Sequence, residues 1–154
     1  MDVFSRTERS RIMSRIRSHG NMATELRLIE LMRAHKITGW RRKQRLPGNP
    51  DFVFRRKLLV VFVDGCFWHG CPQCYRLPKS RITYWRAKIH GNIRRDMSRR
   101  VQLRRLGWKV LRIWEHQLKV KPQSCVERLK QALSSRRAEK RNMRYSAGAY
   151  ATRK

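Results

Sequence analysis

Apolar positions along this chain follow two periods, one helical and one alternating, and together they predict an α/β order. Between Thr24 and His35, Leu28, Leu31 and Met32 recur at helical spacing, with Glu25 in the first turn where the positive helix end favours a carboxylate. Gly39 is the expected stop. Trp40 to Arg45 reads as an edge strand, and Leu46-Pro47-Gly48-Asn49-Pro50 as a turn. Asp51-Phe52-Val53-Phe54 and Leu58 to Val63 read as a hairpin turning at Arg55-Arg56-Lys57. The second of these strands is almost continuously apolar, which predicts a central strand with helices on both faces.

Two helices are expected downstream, Arg81 to His90 and Asn92 to Leu106, the second with Ile93, Met97 and Val101 on one side and Gly107 past its end. Trp108 to Trp114 alternates large apolar and basic residues and predicts a strand with one basic face. Val126, Leu129 and Leu133 mark a last helix. Residues 6–18 place Ile12, Met13 and Ile16 at helical spacing, reading as a short basic helix or a solvated arm. After Ser135 no period survives and the composition is that of a disordered basic tail. The expected organisation is an arm at 1–20, one domain at 21–134 built on a mixed central sheet flanked by helices, and a tail at 135–154.

The hairpin carries a geometric consequence. Its first strand starts where its second ends, so at ~3.3 Å per residue Asp51 and the Val63-Asp64 segment should approach within about 10 Å. The stretch leaving that edge is Val63-Asp64-Gly65-Cys66-Phe67-Trp68-His69-Gly70-Cys71-Pro72-Gln73-Cys74, which concentrates three thiols, an imidazole, a carboxylate and two adjacent aromatics.

Charge then narrows the partners. Lys and Arg number 39 against 10 acids, a formal +29 on 154 residues, which suits a protein that works beside a polyanion. Nucleic acid leads and an acidic membrane surface follows. No segment approaches the ~20 apolar residues of a membrane span, and the start lacks the apolar core of a secretory signal. A cytoplasmic, nucleoid-associated protein is expected, and in a reducing compartment its four cysteines favour metal ligation over disulfides.

Cys71 and Cys74 have the two-residue gap that lets both sulfurs reach one tetrahedral Zn²⁺, with Cys66 close enough to be a third ligand. The fourth ligand is open among His69, His116 and Cys125. Such a closed site is structural. Acids are scarce enough for each to matter: Asp51 and Asp64 at one mouth offer hard oxygen ligands for Mg²⁺ beside a phosphate, Glu25 joins through water, and His69 suits a general base. Read singly, these are also a turn cap, an Asp-Gly turn and a helix-dipole partner. Phe67 and Trp68 cannot both bury easily on a cramped loop and are expected to wedge between base pairs, with Trp85 and Met13 as further candidates. Arg94, Arg95, Arg99, Arg100, Arg104 and Arg105 suit phosphate contacts.

Taken together, Leu46-Pro47-Gly48-Asn49-Pro50-Asp51-Phe52-Val53, Asp64 to Cys71, Trp85 to Ile89 with Asn92 and Asp96, and Leu106 to Glu115 resemble the Vsr, or very short patch repair, DNA mismatch endonucleases over about Arg9 to Leu118. The resemblance implies a PD-(D/E)XK restriction-endonuclease-like fold, a zinc site, and nicking of one DNA strand at a T·G mismatch left by deamination of 5-methylcytosine. By position it implies Mg²⁺ on Asp51 and the main-chain carbonyl of Val63, His69 as general base, and Glu25 on metal-associated water. It also implies Zn²⁺ on Cys66, Cys71, Cys74 and His116, and a DNA wedge of Phe67, Trp68, Trp85 and Met13. The partners it implies are duplex DNA with a T·G mismatch, mismatch-repair proteins and a repair polymerase. A monomer is expected because a nick needs one active site. Asp64 is a departure: the acid-x-Lys of the wider fold is absent, Cys66 standing where a lysine is expected. Two rival readings use the same features, a non-catalytic zinc-containing DNA-binding protein and a restriction-type nuclease without mismatch selectivity.

Overall fold

The computed structural model describes residues 22–135. The expected arm at 1–20 with Met13, and the tail beyond Ser135, lie outside the described residues. A wide π-type turn, Met22–Leu26, runs into helix α1 (Arg27–Ala34), whose Leu28, Ile29, Leu31 and Met32 are buried. The helix ends before the expected stop at Gly39, because Lys36 already adopts a left-handed conformation at φ 53°.

Strands β1 (Phe52–Phe54), β2 (Leu59–Asp64) and β3 (Lys109–Trp114) form a mixed sheet in the order β1-β2-β3. β1 pairs antiparallel with β2 around the tight turn Arg55–Lys57, and β3 pairs parallel with β2 from Leu59↔Lys109 to Asp64↔Trp114. The parallel pair needs a long crossover, supplied by helix α2 (Ile82–Arg105). Helices α3 (Glu115–Val120) and α4 (Pro122–Ser134) close the domain.

Three expectations need correction, and one element was not expected. Trp40 to Arg45 is no strand; it makes one bridge, Arg41↔Val53, and Lys43 at φ 53° turns the chain away. The two helices expected between Arg81 and Leu106 are one, because Gly91 weakens a helix by only about 1 kcal/mol and the flanking turns carry it through. β3 has no single basic face: Lys109 and Arg112 are three residues apart and point to opposite sides. Helix α3 had no apolar period to announce it.

Side-chain alternation divides the core in two. Phe52, Phe54, Leu59, Val61, Val63 and Ile113 face α1 and α4 in the larger cluster. Val53, Val60, Phe62 and Val110 face the other way, against Leu103 of α2 and Leu46. Each fully buried Phe or Leu contributes about 1.5–3 kcal/mol, so both faces of β2 are held firmly. On the α2 side this apolar cover gives way, toward the strand ends, to Asp64, Arg112 and Trp114.

Candidate active site

Asp51 sits immediately before β1 and Val63 near the end of β2, and the Val63 amide donates to Asp51 Oδ2 at 2.7 Å. That bond closes the mouth of the hairpin. Burial pushes the Asp51 carboxyl up to about 7; the Val63 N–H opposes this, and the charges of Glu25 and Asp64 add to it. Such a carboxylate has strong reason to take a cation. Glu25, 3% exposed, is ion-paired to Arg42 and lines with Asp51 a recess of about 190 Å³, bordered by Lys43, Arg45, Asn49 and Pro50.

The donor set at this mouth fits Mg²⁺. Asp51 offers a hard oxygen that burial leaves short of countercharge, and Glu25 lines the same recess. Asp64 is buried on the neighbouring face, where its two oxygens meet Arg112 and His69.

His69 leaves this mouth on the loop after β2. Its Nδ1 lies 2.7 Å from Asp96 Oδ2, and its Nε2 lies 3.5 Å from Asp64 Oδ1. An ionised carboxylate only accepts, so Nδ1 carries the hydrogen and Nε2 is left as the basic nitrogen. Desolvation disfavours the charged ring, but the Asp96 bond and the charges of Asp64 and Asp96 outweigh it and raise His69 above its ordinary value. Arg112 joins both acids, donating from Nε to Asp64 and from its terminal nitrogen to Asp96 Oδ2 at 2.6 Å.

On the far side of the same loop, Cys66, Cys71, Cys74 and His116 bring one ligand atom each within 4.8 Å of one another. The strand register explains this: Asp64 and Trp114 are partners, so Cys66 and His116, each two residues further on, emerge side by side. His116 Nδ1 lies 3.2 Å from Cys66 Sγ and 3.6 Å from Cys71 Sγ. Ligands of a tetrahedral Zn²⁺ with bonds of about 2.0–2.3 Å stand ~3.3–3.8 Å apart, so three soft sulfurs and an imidazole in this arrangement fit zinc. Of the three candidates left open by sequence for the fourth position, His69 is engaged with carboxylates and Cys125 is buried in the larger core.

The loop is pinned against α2. Gly70 adopts φ +60°, and a Cβ there would stand 2.6 Å from Ile93 Cδ1, so a side chain has neither the conformation nor the room. Asn92 Nδ2 donates to the Trp68 carbonyl at 2.9 Å. The loop's aromatics gather with those of α2: Phe67 meets Trp68, Tyr75 and Trp85 at centroid distances of 5.1, 5.9 and 5.2 Å, and Tyr84 meets Trp85 at 5.2 Å. None of these rings is buried, and Tyr84 is 57% exposed. The result is a partly exposed aromatic platform beside a helix bearing exposed Arg94, Arg95, Arg99, Arg104 and Arg105.

The structure thus brings Asp51, Val63 and Glu25 together, places His69 with Asp64, and groups Cys66, Cys71, Cys74 and His116. Sequence reasoning missed Asp96 as the partner of His69, Arg112 as the partner of Asp64 and Asp96, Arg42 as the partner of Glu25, and Tyr75 in the platform. Asp96 had a signal: Ile89, Asp96 and Leu103 are seven residues apart, and the two apolar ones are fully buried, so the acid lies on the inward stripe of α2.

Comparison with known proteins bears on the same residues. Residues 1–76 match the family described as DNA mismatch endonuclease Vsr. The DNA mismatch endonuclease Vsr of Escherichia coli is 35% identical over 136 residues, 84% of this chain and 86% of that protein. The type II nicking enzyme V.XorIIP of Xanthomonas oryzae pv. oryzae is 40% identical over 122 residues, 76% of this chain and 86% of that protein. The type II nicking enzyme V.NaeI of Lentzea aerocolonigenes is 46% identical over 69 residues, and that match spans 42% of its length. The Escherichia coli and Xanthomonas relatives match over most of both chains, and this settles kinship: the chain belongs to the Vsr DNA mismatch endonuclease family, and with it to the nucleases.

Proposed function

We propose that this protein is a Mg²⁺-dependent, zinc-stabilised endonuclease that nicks one strand of duplex DNA at a T·G mismatch, in the repair of deaminated 5-methylcytosine. The observation that carries the reading is the mouth of the hairpin, where a buried acid with its carboxyl raised to about 7 stands beside a carboxylate-oriented imidazole. A DNA-binding module without catalysis needs neither. The sheet and its α2 crossover are consistent with a PD-(D/E)XK-like fold, with His69 in place of the missing lysine.

Asp51 and the Val63 carbonyl would hold Mg²⁺, with Glu25 on its water, and Cys66, Cys71, Cys74 and His116 would hold Zn²⁺. Bound at Asp51, the cation would offset the charge that develops on the phosphate as water attacks. Nε2 of His69 takes the proton from the attacking water as its oxygen bonds to phosphorus. The opposite P–O bond breaks, and the departing oxygen gains a proton from solvent. Asp96 fixes the ring and strengthens Nε2 as a base, as the carboxylate of an Asp–His pair does.

Phe67, Trp68 and Trp85 enter the duplex beside the mismatch, and selectivity arises because unstacking a T·G step costs less than unstacking a matched one. Met13, on the N-terminal arm, belongs to the same wedge. The arginines of α2 hold phosphates and set position without reading bases. Such an enzyme works as a monomer among the cell's DNA, alongside mismatch-repair proteins and a repair polymerase. Among the described residues no helix is long and apolar enough to cross a membrane.

The test is cleavage of end-labelled duplexes holding one T·G mismatch, against matched controls, with and without Mg²⁺, for wild type and Asp51→Ala. Nicking of the T strand alone, lost in the variant, is the expected result. Cutting of matched duplex would make the enzyme restriction-like, and binding without cutting would reduce it to a DNA-binding module.

A further inference from the structure

Asp64, His69 and Asp96 bring ligand atoms within 4.8 Å of one another, close enough to suggest a second cation site. A guanidinium is already there. Arg112 Nε bonds Asp64 Oδ2 and its terminal nitrogen bonds Asp96 Oδ2, while the same Asp96 oxygen faces His69 Nδ1 and the other Asp64 oxygen faces His69 Nε2. The four side chains close a ring in which the two acids alternate with the guanidinium and the imidazole.

Arg112 is braced on every side. Its guanidinium carbon lies 4.7 Å from the centroid of the Trp114 ring, and its own carbonyl accepts from Arg128, which also holds Gln117. The parallel register sets Arg112 beside Phe62 and Asp64 beside Trp114 on the face covered by α2, so the arginine reaches across strands to one acid and up to the helix for the other. A planar fork with fixed donors suits this work better than an ammonium would. A divalent ion in the same ring would meet a full positive charge at contact distance, a strong repulsion in a half-buried site.

We propose that Arg112 is a positioning residue of this nuclease: it clamps Asp64 and Asp96 around His69, so that Asp64 acts on the imidazole and not on the metal. The role rests on the reading of His69 as the base given above. Without Arg112, two carboxylates would face one imidazole with no fixed cation between them, and the ring would lose the orientation that Asp96 at Nδ1 and Asp64 at Nε2 give it. A misplacement of about 1 Å at such a base costs on the order of a hundredfold in rate.

Two measurements on the full-length protein test it. The first needs no catalysis: in ¹⁵N-histidine-labelled protein loaded with zinc and kept free of Mg²⁺, the hydrogen-bonded Nδ1–H signal of His69, assigned with His69→Gln, should be present in wild type. It should be lost in Arg112→Met and partly kept in Arg112→Lys, with circular dichroism unchanged. An unaltered signal in Arg112→Met overturns the clamp. If that variant does not fold, Arg112→Gln, which keeps donors without the charge, takes its place under the same criterion.

The second is nicking rate against Mg²⁺ concentration. Asp64→Asn should lower kcat by about tenfold or more while moving half-saturating Mg²⁺ by less than about threefold. A tenfold or greater rise in half-saturating Mg²⁺ makes Asp64 a metal ligand and overturns the proposal. If wild type nicks no T·G duplex, the functional reading fails, and the imidazole signal still decides whether the clamp exists.

Discussion

The loop after β2 separates two clusters of opposite chemistry. On one side Cys66, Cys71 and Cys74 are drawn from nine consecutive residues and need one visitor, His116. On the other, His69 meets acids from β2 and α2 and an arginine from β3, all brought together by the fold. Soft ligands at short spacing form a site that metal itself can organise, whereas hard, charged groups must be held apart and aligned by a rigid frame before any metal or substrate arrives. The thiol cluster should therefore govern whether the loop exists, and the acidic cluster how well it works.

The widest separation between them comes from Cys71→Ser. Cys71 is 1% exposed at the centre of the thiol cluster. Removing it should release the loop and disperse the aromatic platform, lowering the melting temperature by about 10 °C or more. Bound zinc should fall from one equivalent toward none by atomic emission, with loss of DNA binding by fluorescence anisotropy. Retention of zinc and of binding would mean the other three ligands suffice.

Asp51→Asn should do the reverse, removing activity while leaving the fold sound. We expect nicking to fall by at least about a thousandfold, with zinc content unchanged. The sign of the stability effect follows from the raised carboxyl. A group whose folded value is about 7 and whose ordinary value is 3.8 adds stability below the lower value and loses it as pH rises through the upper one. Mg²⁺-free, zinc-loaded wild type should thus weaken between about pH 4 and 7 by an amount on the order of 2–4 kcal/mol from this group, and Asp51→Asn should gain on it most at pH 8. Mg²⁺ should reverse the wild-type loss, and its apparent affinity should rise about fivefold from pH 6 to 7, as the carboxyl gives up its proton. Calorimetric melting across pH, with and without Mg²⁺, reads all three.

The same contrast explains what the sequence disclosed. The thiol spacing, the hairpin that joins Asp51 to Val63 and the continuous apolar run of β2 are local patterns, and each is present in the fold. Arg112 and Asp96 are not local. Arg112 is 48 residues from Asp64 and 16 from Asp96, and its inward direction depends on a parallel register that no periodicity announces. Basic residues among the apolar ones of an alternating strand predict one basic face, but alternation over three residues sends Lys109 toward α4 and the carbonyls of Ala132 and Ser135, and Arg112 to the opposite face and the acids. Trp40 to Arg45 failed for a related reason: propensity allowed a strand, but β1 is three residues long and offered it one bridge.

The aromatic platform stands between the clusters and tests whether either controls selectivity. Trp68 is tied to α2 through Asn92, so Trp68→Ala should leave zinc and Mg²⁺ dependence intact while lowering the preference for T·G over matched duplex by about 10–100-fold. Competition cleavage of the two duplexes in one tube measures that ratio directly. An unchanged ratio would move mismatch selection elsewhere, to the N-terminal arm or to indirect readout by α2.

Gly70 is the point where the two clusters share a backbone, between His69 and Cys71. Its left-handed φ and the 2.6 Å that would separate an added Cβ from Ile93 Cδ1 mean that Gly70→Ala displaces the Ile93 side chain and, with Ile89 Cγ2 at 3.2 Å behind it, presses the loop and the helix apart. Strain and overpacking together should cost about 1–3 kcal/mol, less than loss of a zinc ligand. The direction of the shift is what decides between models. If the thiol cluster holds the loop, zinc stays and the His69–Asp96 bond lengthens, so kcat falls with zinc content constant. If α2 holds it through Asn92 and Ile93, the thiols are displaced first and zinc affinity falls while the imidazole signal of His69 persists. Zinc titration beside the His69 ring spectrum separates the two.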